Sequence, residues 1–158
     1  MMKTRTKNNI GISHMLKNLV TLICLMTVSA LAAAETIHPA KLSSTDLEGY
    51  VFKNPDTIVT ETPTGKIRDL TSLKSSDGKF ASGMYSAGKS RFEITEPYGV
   101  DEFMFFLDGS VTLTSGDGSQ MTINAGEAVT IPKEWTGVWE TEGYRKIWVI
   151  YSATGEGL

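Results

Sequence analysis

The chain has 158 residues, which is enough for one domain and leaves little room for a second. It carries 15 Lys and Arg residues against 18 Asp and Glu residues, a net charge of −3 at neutral pH. All 18 acids lie after residue 34, where 11 cations remain, so that part of the chain has a net charge of −7. Because contacts to phosphate need Lys and Arg, an acidic domain without a basic stripe is a poor match for nucleic acid or an anionic membrane surface.

Residues 1–34 have the pattern of an export signal. A basic stretch precedes the apolar run 19–34, which ends in small residues before a candidate cleavage point. The run has 16 residues and is shorter than the roughly 20 that a membrane span needs. We therefore predict a cleaved signal peptide over residues 1–34, export to the bacterial periplasm and no membrane association after cleavage. An uncleaved anchor helix is the alternative.

Removal of this leader limits the chemistry of the mature chain. The single cysteine, Cys24, and one of the two histidines, His14, lie in the leader. His38 then stands alone near the new N-terminus. We expect no disulfide framework, no cysteine nucleophile and no zinc site made of several Cys or His ligands. A Ser-His-Asp triad would have to use His38 from a segment outside the core, which argues against one.

The domain layout follows from the polarity of the chain. Residues 35–46 are polar and read as a linker or an N-terminal arm. From residue 47 onward, short apolar runs alternate with Gly, Pro, Asp and Ser. We predict one domain over residues 47–152, followed by a tail over residues 153–158.

The first part of this domain has weak signals. Val51-Phe52 and Ile58-Val59 are strand candidates, and Pro55 and Pro63 restrict them to edges or loops. Between residues 67 and 73 the apolar side chains recur at intervals of three, which is a helical spacing. That segment is interpreted as one short turn of helix or an irregular loop.

The second part consists of short runs rich in Val, Ile, Thr and aromatic residues, separated by Gly-containing turns. No stretch keeps helical periodicity for three turns. The pattern predicts an all-β sandwich or barrel, in which closure protects the strand edges. The eight predicted strands are 79–86, 89–95, 101–107, 110–114, 120–123, 128–131, 138–141 and 145–151. The predicted turns between them include 87–88, 108–109, 116–118, 124–126 and 142–143.

Residues 99–151 carry motifs that resemble the cupin superfamily. Glu102, an aromatic strand and the pair Asp108-Gly109 match the end of the first cupin motif. The interval from Gly126 to Pro132 matches the second. The pieces TGVWE and YRKIWVIY are similar to small single-domain cupins grouped with ureidoglycine aminohydrolase and the ethanolamine-utilisation cupin. The resemblance covers about residues 80–151. It implies a single-domain cupin-type β-barrel, the double-stranded β-helix or jelly roll, which pairs as a homodimer.

The chain departs from the metal-binding cupins at three positions. Where those proteins place two His before the Glu and a third after the Pro, this chain has Glu96, Tyr98 and Gly137. Glu102 is what remains of the implied ligand set, and imidazole is the ligand on which such sites depend for iron, manganese, nickel or zinc. We therefore expect no cofactor and no transition metal. A weak oxygen site for a hard cation at Glu96 and Glu102 stays open.

The lumen of the predicted barrel offers an acid surrounded by aromatic side chains. Alternation puts Glu102, Met104 and Phe106 on one face of their strand, and the other face is also apolar, which predicts burial of both faces. A carboxylate in this setting loses solvation, as acid–base catalysts do, and Tyr98 could assist it. The alternative is a structural pairing of Glu102 with Arg145 or Lys146. The predicted ligand-binding residues are Met104, Phe106, Trp135, Trp139 and Arg145.

Three functions are compatible with these features. The first is binding of a small organic molecule, such as a sugar or a flat heterocycle that stacks on aromatic rings. The second is a metal-independent isomerase, lyase or hydrolase that uses Glu102 as acid–base group. The third is a structural dimer whose barrel is filled by side chains. A cavity of ligand size would separate the first two from the third.

Overall fold

The computed structural model describes residues 36–158, so the predicted signal peptide over residues 1–34 lies outside the described residues. Residues 39–158 form one compact unit. A short helix α1 spans Ser44–Leu47, and a 3-10 turn follows over Tyr50–Lys53. The strands are β1 Ile58–Thr62, β2 Gly65–Lys74, β3 Phe80–Ile94, β4 Asp101–Ser115, β5 Gln120–Asn124, β6 Ala128–Ile131 and β7 Gly137–Tyr151.

All strand pairs are antiparallel and join in one sheet of order β1-β2-β3-β7-β4-β5. Strand β4 pairs with β7 along one edge. Its other edge pairs with β6 near its start and with β5 near its end. This is the predicted all-β cupin fold, with three long strands, β3, β7 and β4, at its centre. Within residues 36–158, no helix is long and apolar enough to cross a membrane.

Three of the predicted turns are wrong. The segments 87–88, 108–109 and 142–143 lie inside β3, β4 and β7, which have 15 residues each. Gly143 pairs with Gly88 on one side and with Ser110 on the other, and register shifts flank that point in β4. Glycine and bulges bend a strand without ending it. Six predicted strands are therefore three bent strands, and turn-type residues mark the bends.

The weak N-terminal signals had mixed outcomes. Ile58-Val59 is confirmed as a strand, and β1 lies at the sheet edge as its flanking prolines require. Val51-Phe52 is instead part of the 3-10 turn. The segment 67–73 belongs to β2, so the helical interpretation was wrong. Its interval of three between Leu70 and Leu73 coincides with a register shift in the pairing with β3, which a bulge explains.

Part of the predicted linker folds into α1 because its sequence contains a capping box. The Ser43 hydroxyl accepts a hydrogen bond from the Asp46 backbone N–H at 3.2 Å. The Asp46 carboxylate accepts one from the Ser43 N–H at 2.9 Å. Two N-terminal donors of the helix are thereby satisfied. The helix leads into the 3-10 turn, which packs near β2.

The core lies on one face of the bent sheet. Glu102, Met104 and Phe106 are 3%, 0% and 0% exposed, as their alternation predicted. The opposite face of β4 differs from the prediction, because Phe103 is 44% exposed. Each fully buried side chain of this size contributes about 1.5–3 kcal/mol of hydrophobic free energy. The inner face therefore carries most of the packing energy in this part of β4.

Candidate functional site

A cavity of about 610 Å³ opens on the inner face of the sheet. Strands β1, β2, β3, β4 and β7, the segment before β4 and the C-terminal residues 157–158 line it. Aromatic and aliphatic side chains form most of its walls, and its polar groups come from several parts of the chain. The side chains that matter for its chemistry are Asp69, Tyr85, Phe92, Glu93, Tyr98, Glu102, Trp139, Tyr144, Lys146 and Trp148.

A buried ion pair lies beside this cavity. Lys146 and Glu102 are 5% and 3% exposed, and the Lys146 Nζ is 2.8 Å from the Glu102 Oε1. The same Nζ lies 2.8 Å from the Met104 Sδ. Of the two partners considered for Glu102, the structure therefore places Lys146 beside it. Alternation along β7 explains this, because Tyr144, Lys146 and Trp148 share the buried face.

Tyr98 completes a hydrogen-bonded chain. Its hydroxyl donates to the second oxygen of Glu102, Oε2. Its backbone N–H donates to the Trp135 carbonyl at 3.0 Å, and its ring meets the Trp135 ring edge-on. Burial and the nearby Glu102 carboxylate raise the pKa of Tyr98 well above its ordinary value. The phenol consequently stays protonated and acts as a donor.

Aromatic rings surround the Lys146 ammonium. Its Nζ is 5.1 Å from the Trp139 ring centroid, 5.4 Å from that of Tyr85 and 6.0 Å from that of Tyr144. The negative faces of such rings attract a cation. Burial nevertheless lowers the pKa of Lys146, and the Glu102 carboxylate opposes that shift. Lys146 therefore loses its proton at a lower pH than a solvated lysine does.

Asp69 is a second acid at the cavity. Its Oδ1 accepts a hydrogen bond from the Trp148 Nε1 at 3.1 Å. Burial is the main cause that raises the pKa of Asp69, while Trp148 and Lys146 act in the opposite direction. The folded state therefore holds the Asp69 proton more tightly than the unfolded state does.

This shift predicts a pH-dependent effect of Asp69→Asn. The contribution of a raised carboxyl pKa favours folding at low pH and is lost as pH rises above the ordinary value of 3.8. Asparagine keeps an oxygen that can accept the Trp148 hydrogen bond, and it removes the carboxyl group that titrates. We expect the Tm of the variant, relative to the wild type, to increase from about pH 4 to about pH 7. Thermal unfolding at both pH values tests this, and an unchanged Tm difference would contradict it.

The cavity carries more negative than positive charge. Asp69, Glu93 and Glu102 supply carboxylates, and Lys146 is the one cation among the described residues that line it. Glu102 is already paired with Lys146. The remaining carboxylates make the cavity unfavourable for an anion and suitable for a neutral or cationic molecule.

Of the five predicted ligand-binding residues, one lines the cavity, three lie in or beside the core, and one faces away from the cavity. Trp139 lines the cavity. Met104 and Phe106 are fully buried in the core, and Trp135 lies against Tyr98 and donates through its Nε1 to the Ser115 hydroxyl at 3.2 Å. Arg145 does not reach the cavity, which corrects its predicted place in the lumen. It is next to Lys146 on β7, so the two side chains point to opposite faces of the strand.

The oxygen site considered for a hard cation is not assembled. Glu96 is exposed and does not line the cavity. The two Glu102 oxygens are hydrogen-bonded to Lys146 and Tyr98. Among the described residues, no group of three or more His, Cys, Asp and Glu side chains is placed to hold a metal ion.

Sequence reasoning missed several side chains of the site. Asp69 could not be found because the spacing of its segment predicts helix or loop. In a strand, alternation would have shown which face of the sheet Asp69 occupies. Trp148 both packs in the core and lines the cavity. The signal for Lys146 was present, since it lies between Tyr144 and Trp148 in a strand whose alternate residues are aromatic.

Comparisons with known proteins agree with this fold. The EutQ protein of Clostridium difficile has a TM-score of 0.54 at 20% identity, covering 75% of this chain and 98% of that chain. A protein of unknown function from Pseudomonas syringae pv. tomato has a TM-score of 0.54 at 18% identity, covering 60% of this chain. The match spans 43% of the Pseudomonas protein, less than half of its length. At these identities the likeness shows the fold alone.

A comparison with curated proteins found no match. Residues 74–148 match the family model described as the EutQ-like cupin domain. That range contains all of β3 and β4 and most of β7, and therefore includes Glu102, Trp139 and Lys146. The chain therefore has the cupin fold, and residues 74–148 are similar to the EutQ-like cupin domain.

Proposed function

We propose that this cupin domain binds a small organic molecule in the cavity beside the Lys146–Glu102 pair. The observation that carries the proposal is the cavity itself. Its volume of about 610 Å³ falls within the roughly 300–1,000 Å³ of small-molecule sites. A barrel filled by its own side chains would leave no such space. The structural hypothesis is accordingly the least favoured of the three.

The walls indicate the class of ligand. Trp139 and Trp148 offer ring surfaces, and Asp69 and Lys146 add an acceptor and a donor nearby. Rings with a few convergent polar groups suit a sugar or a flat heterocycle. The excess of carboxylates favours a neutral or cationic molecule over an anion.

The test pairs two tryptophans that differ in their relation to the cavity. Small molecules that co-purify with the protein are identified by mass spectrometry, and a metabolite panel is screened by thermal shift. For a ligand so identified, Trp139→Phe should weaken binding by about tenfold, because one stacking surface shrinks. Trp135→Phe, outside the cavity, should leave the affinity unchanged. An empty protein with no thermal shift, or equal losses in both variants, would contradict the proposal.

A second candidate is metal-independent catalysis by an isomerase, lyase or hydrolase. The observation that favours it is the buried chain Lys146–Glu102–Tyr98, in which three groups able to hold or pass a proton lie at a cavity. Proton transfer by a positioned side chain contributes about 10²–10⁴-fold to rate. Glu102→Gln should abolish turnover if Glu102 is the acid–base group. Under pure binding, the same variant changes affinity only.

We also propose that the protein is exported and cleaved after its leader. The basic stretch and short apolar run before residue 35 support this. Fractionation of cells that express the full chain, with N-terminal sequencing of the product, tests it. A cytoplasmic product that starts at residue 1 would contradict it.

Assembly as a homodimer is proposed through the sheet edge. Strand β1 is an edge strand whose Ile58 and Val59 are 67% and 50% exposed. An antiparallel pairing of two such edges is self-complementary and would extend the sheet. Light scattering of wild type and Val59→Lys tests this, since the charge should shift a dimer toward monomer.

A further inference from the structure

A second cavity, of about 560 Å³, lies beside the bend of β3, β4 and β7. The segment Glu48–Lys53 forms one wall, and side chains of four strands form the other. This is the cavity that Arg145 faces instead of the one next to Glu102. The two cavities share Tyr144 and no other lining residue within the described part of the chain.

Four polar side chains cross the sheet in one row at this cavity. Arg68 pairs with Ser86, Ser86 pairs with Arg145, and Arg145 pairs with Asp108. Residues directly opposite on neighbouring strands point to the same face. Ser86 thus lies between two arginines on the same face, one from β2 and one from β7.

Two donors in this row lack a partner within the described part of the chain. They are the Ser86 hydroxyl and the Arg145 Nε, and both atoms are buried. The other Arg145 nitrogens are engaged, because one donates to the Glu48 carbonyl at 2.9 Å and one lies 3.8 Å from the Asp108 carboxylate. Buried donors without acceptors are costly, so their occurrence side by side calls for an acceptor.

The charge of the cavity indicates which acceptor. Lys53, Arg68 and Arg145 line it, against Glu48 and Asp108. Glu48, Lys53 and Asp108 are exposed, so solvent screens their charges, and the half-buried Arg68 and Arg145 leave the cavity positive. This excess of cations occurs in a chain whose 18 acids all lie after residue 34. The first cavity has the opposite balance.

We propose that the second cavity binds a small oxyanion, a phosphate or a carboxylate group. The Ser86 hydroxyl and the Arg145 Nε supply its hydrogen bonds, and the Arg68 guanidinium supplies a second positive charge. Guanidinium groups and hydroxyls are the usual donors to such oxygens. The carbonyl of Glu48 holds one nitrogen of the Arg145 guanidinium in place.

Isothermal titration calorimetry with inorganic phosphate and with acetate tests the site. We expect Arg68→Gln to weaken binding by at least about tenfold and Ser86→Ala by a few fold. Arg91→Gln, which removes an exposed arginine elsewhere on β3, is the matched control and should bind like the wild type. Binding of phosphate alone assigns a phosphoryl ligand, and equal binding of acetate assigns a carboxylate.

Two results would overturn the proposal. One is a dissociation constant above about 10 mM for both anions in the wild type. The other is an affinity that Arg68→Gln and Ser86→Ala leave unchanged, with both variants folded by circular dichroism. Trp139→Phe should not alter phosphate binding, and Arg68→Gln should not alter binding in the first cavity. The two binding proposals can therefore be contradicted independently of each other.

Discussion

Replacing Lys146 with methionine is expected to lower the free energy of unfolding by about 3–5 kcal/mol. The reason is the carboxylate that remains. Glu102 is 3% exposed, and its Oε1 is 2.8 Å from the Lys146 Nζ. Without the ammonium, a buried negative charge keeps Tyr98 as its hydrogen-bond donor and loses its counter-ion. Urea unfolding at neutral pH, followed by circular dichroism, measures the difference.

Two control variants separate this effect from a general loss of packing. The double variant Lys146→Met with Glu102→Gln should recover much of the lost stability, since it leaves no unpaired charge. Lys89→Met breaks an ion pair with Glu142 at 2.6 Å whose side chains are 63% and 81% exposed. That variant should remain close to the wild type, because solvent screens such pairs. Equal losses in Lys146→Met and Lys89→Met would show that burial does not strengthen the inner pair.

The sequence predicted the inner face of β4 correctly because that face follows simple alternation. Glu102, Met104 and Phe106 occupy every second position of the strand, and all three are buried. The cupin motif residues in that strand correctly predicted the cupin fold. The opposite face could not be predicted from the same pattern, since the exposure of Phe103 depends on what covers the sheet. Alternation tells which residues share a face and does not tell which face is covered.

The candidate site was only partly predictable, for two physical reasons. Asp69 lies in a segment whose spacing predicts helix or loop. Alternation predicts which face a residue occupies only in a strand, so it could not place Asp69 at the site. The turns predicted at Gly109 and Gly143 are also wrong, because these glycines bend strands that continue past them. Because β7 continues through residues 145 and 146, the side chains of Arg145 and Lys146 point to opposite faces of the sheet. Arg145 lines the second cavity and Lys146 lines the first. One dipeptide thereby supplies a cation to each cavity.

The bend in the long strands makes Gly109 sensitive to the addition of a single methyl group. Its φ is +70°, a conformation that costs other L-residues roughly 1–2 kcal/mol. A Cβ at this position would lie 2.0 Å from the Gly143 carbonyl oxygen and 2.9 Å from the Tyr144 Cα. Both obstacles are backbone atoms, so rotation of a side chain cannot relieve them. We expect Gly109→Ala to lower the free energy of unfolding by about 2–4 kcal/mol.

Gly126→Ala is the matched control, because it isolates the backbone conformation from the collision. Gly126 has a φ of +86°, and nothing lies within 4 Å of the position that its Cβ would take. Its substitution should cost only the conformational part, about 1–2 kcal/mol. Urea unfolding of both variants gives the difference, which measures the close approach of β4 and β7 at the bend. Equal costs would mean that the strands separate easily at this point, and the bend would then not be held by contact between Gly109 and Gly143.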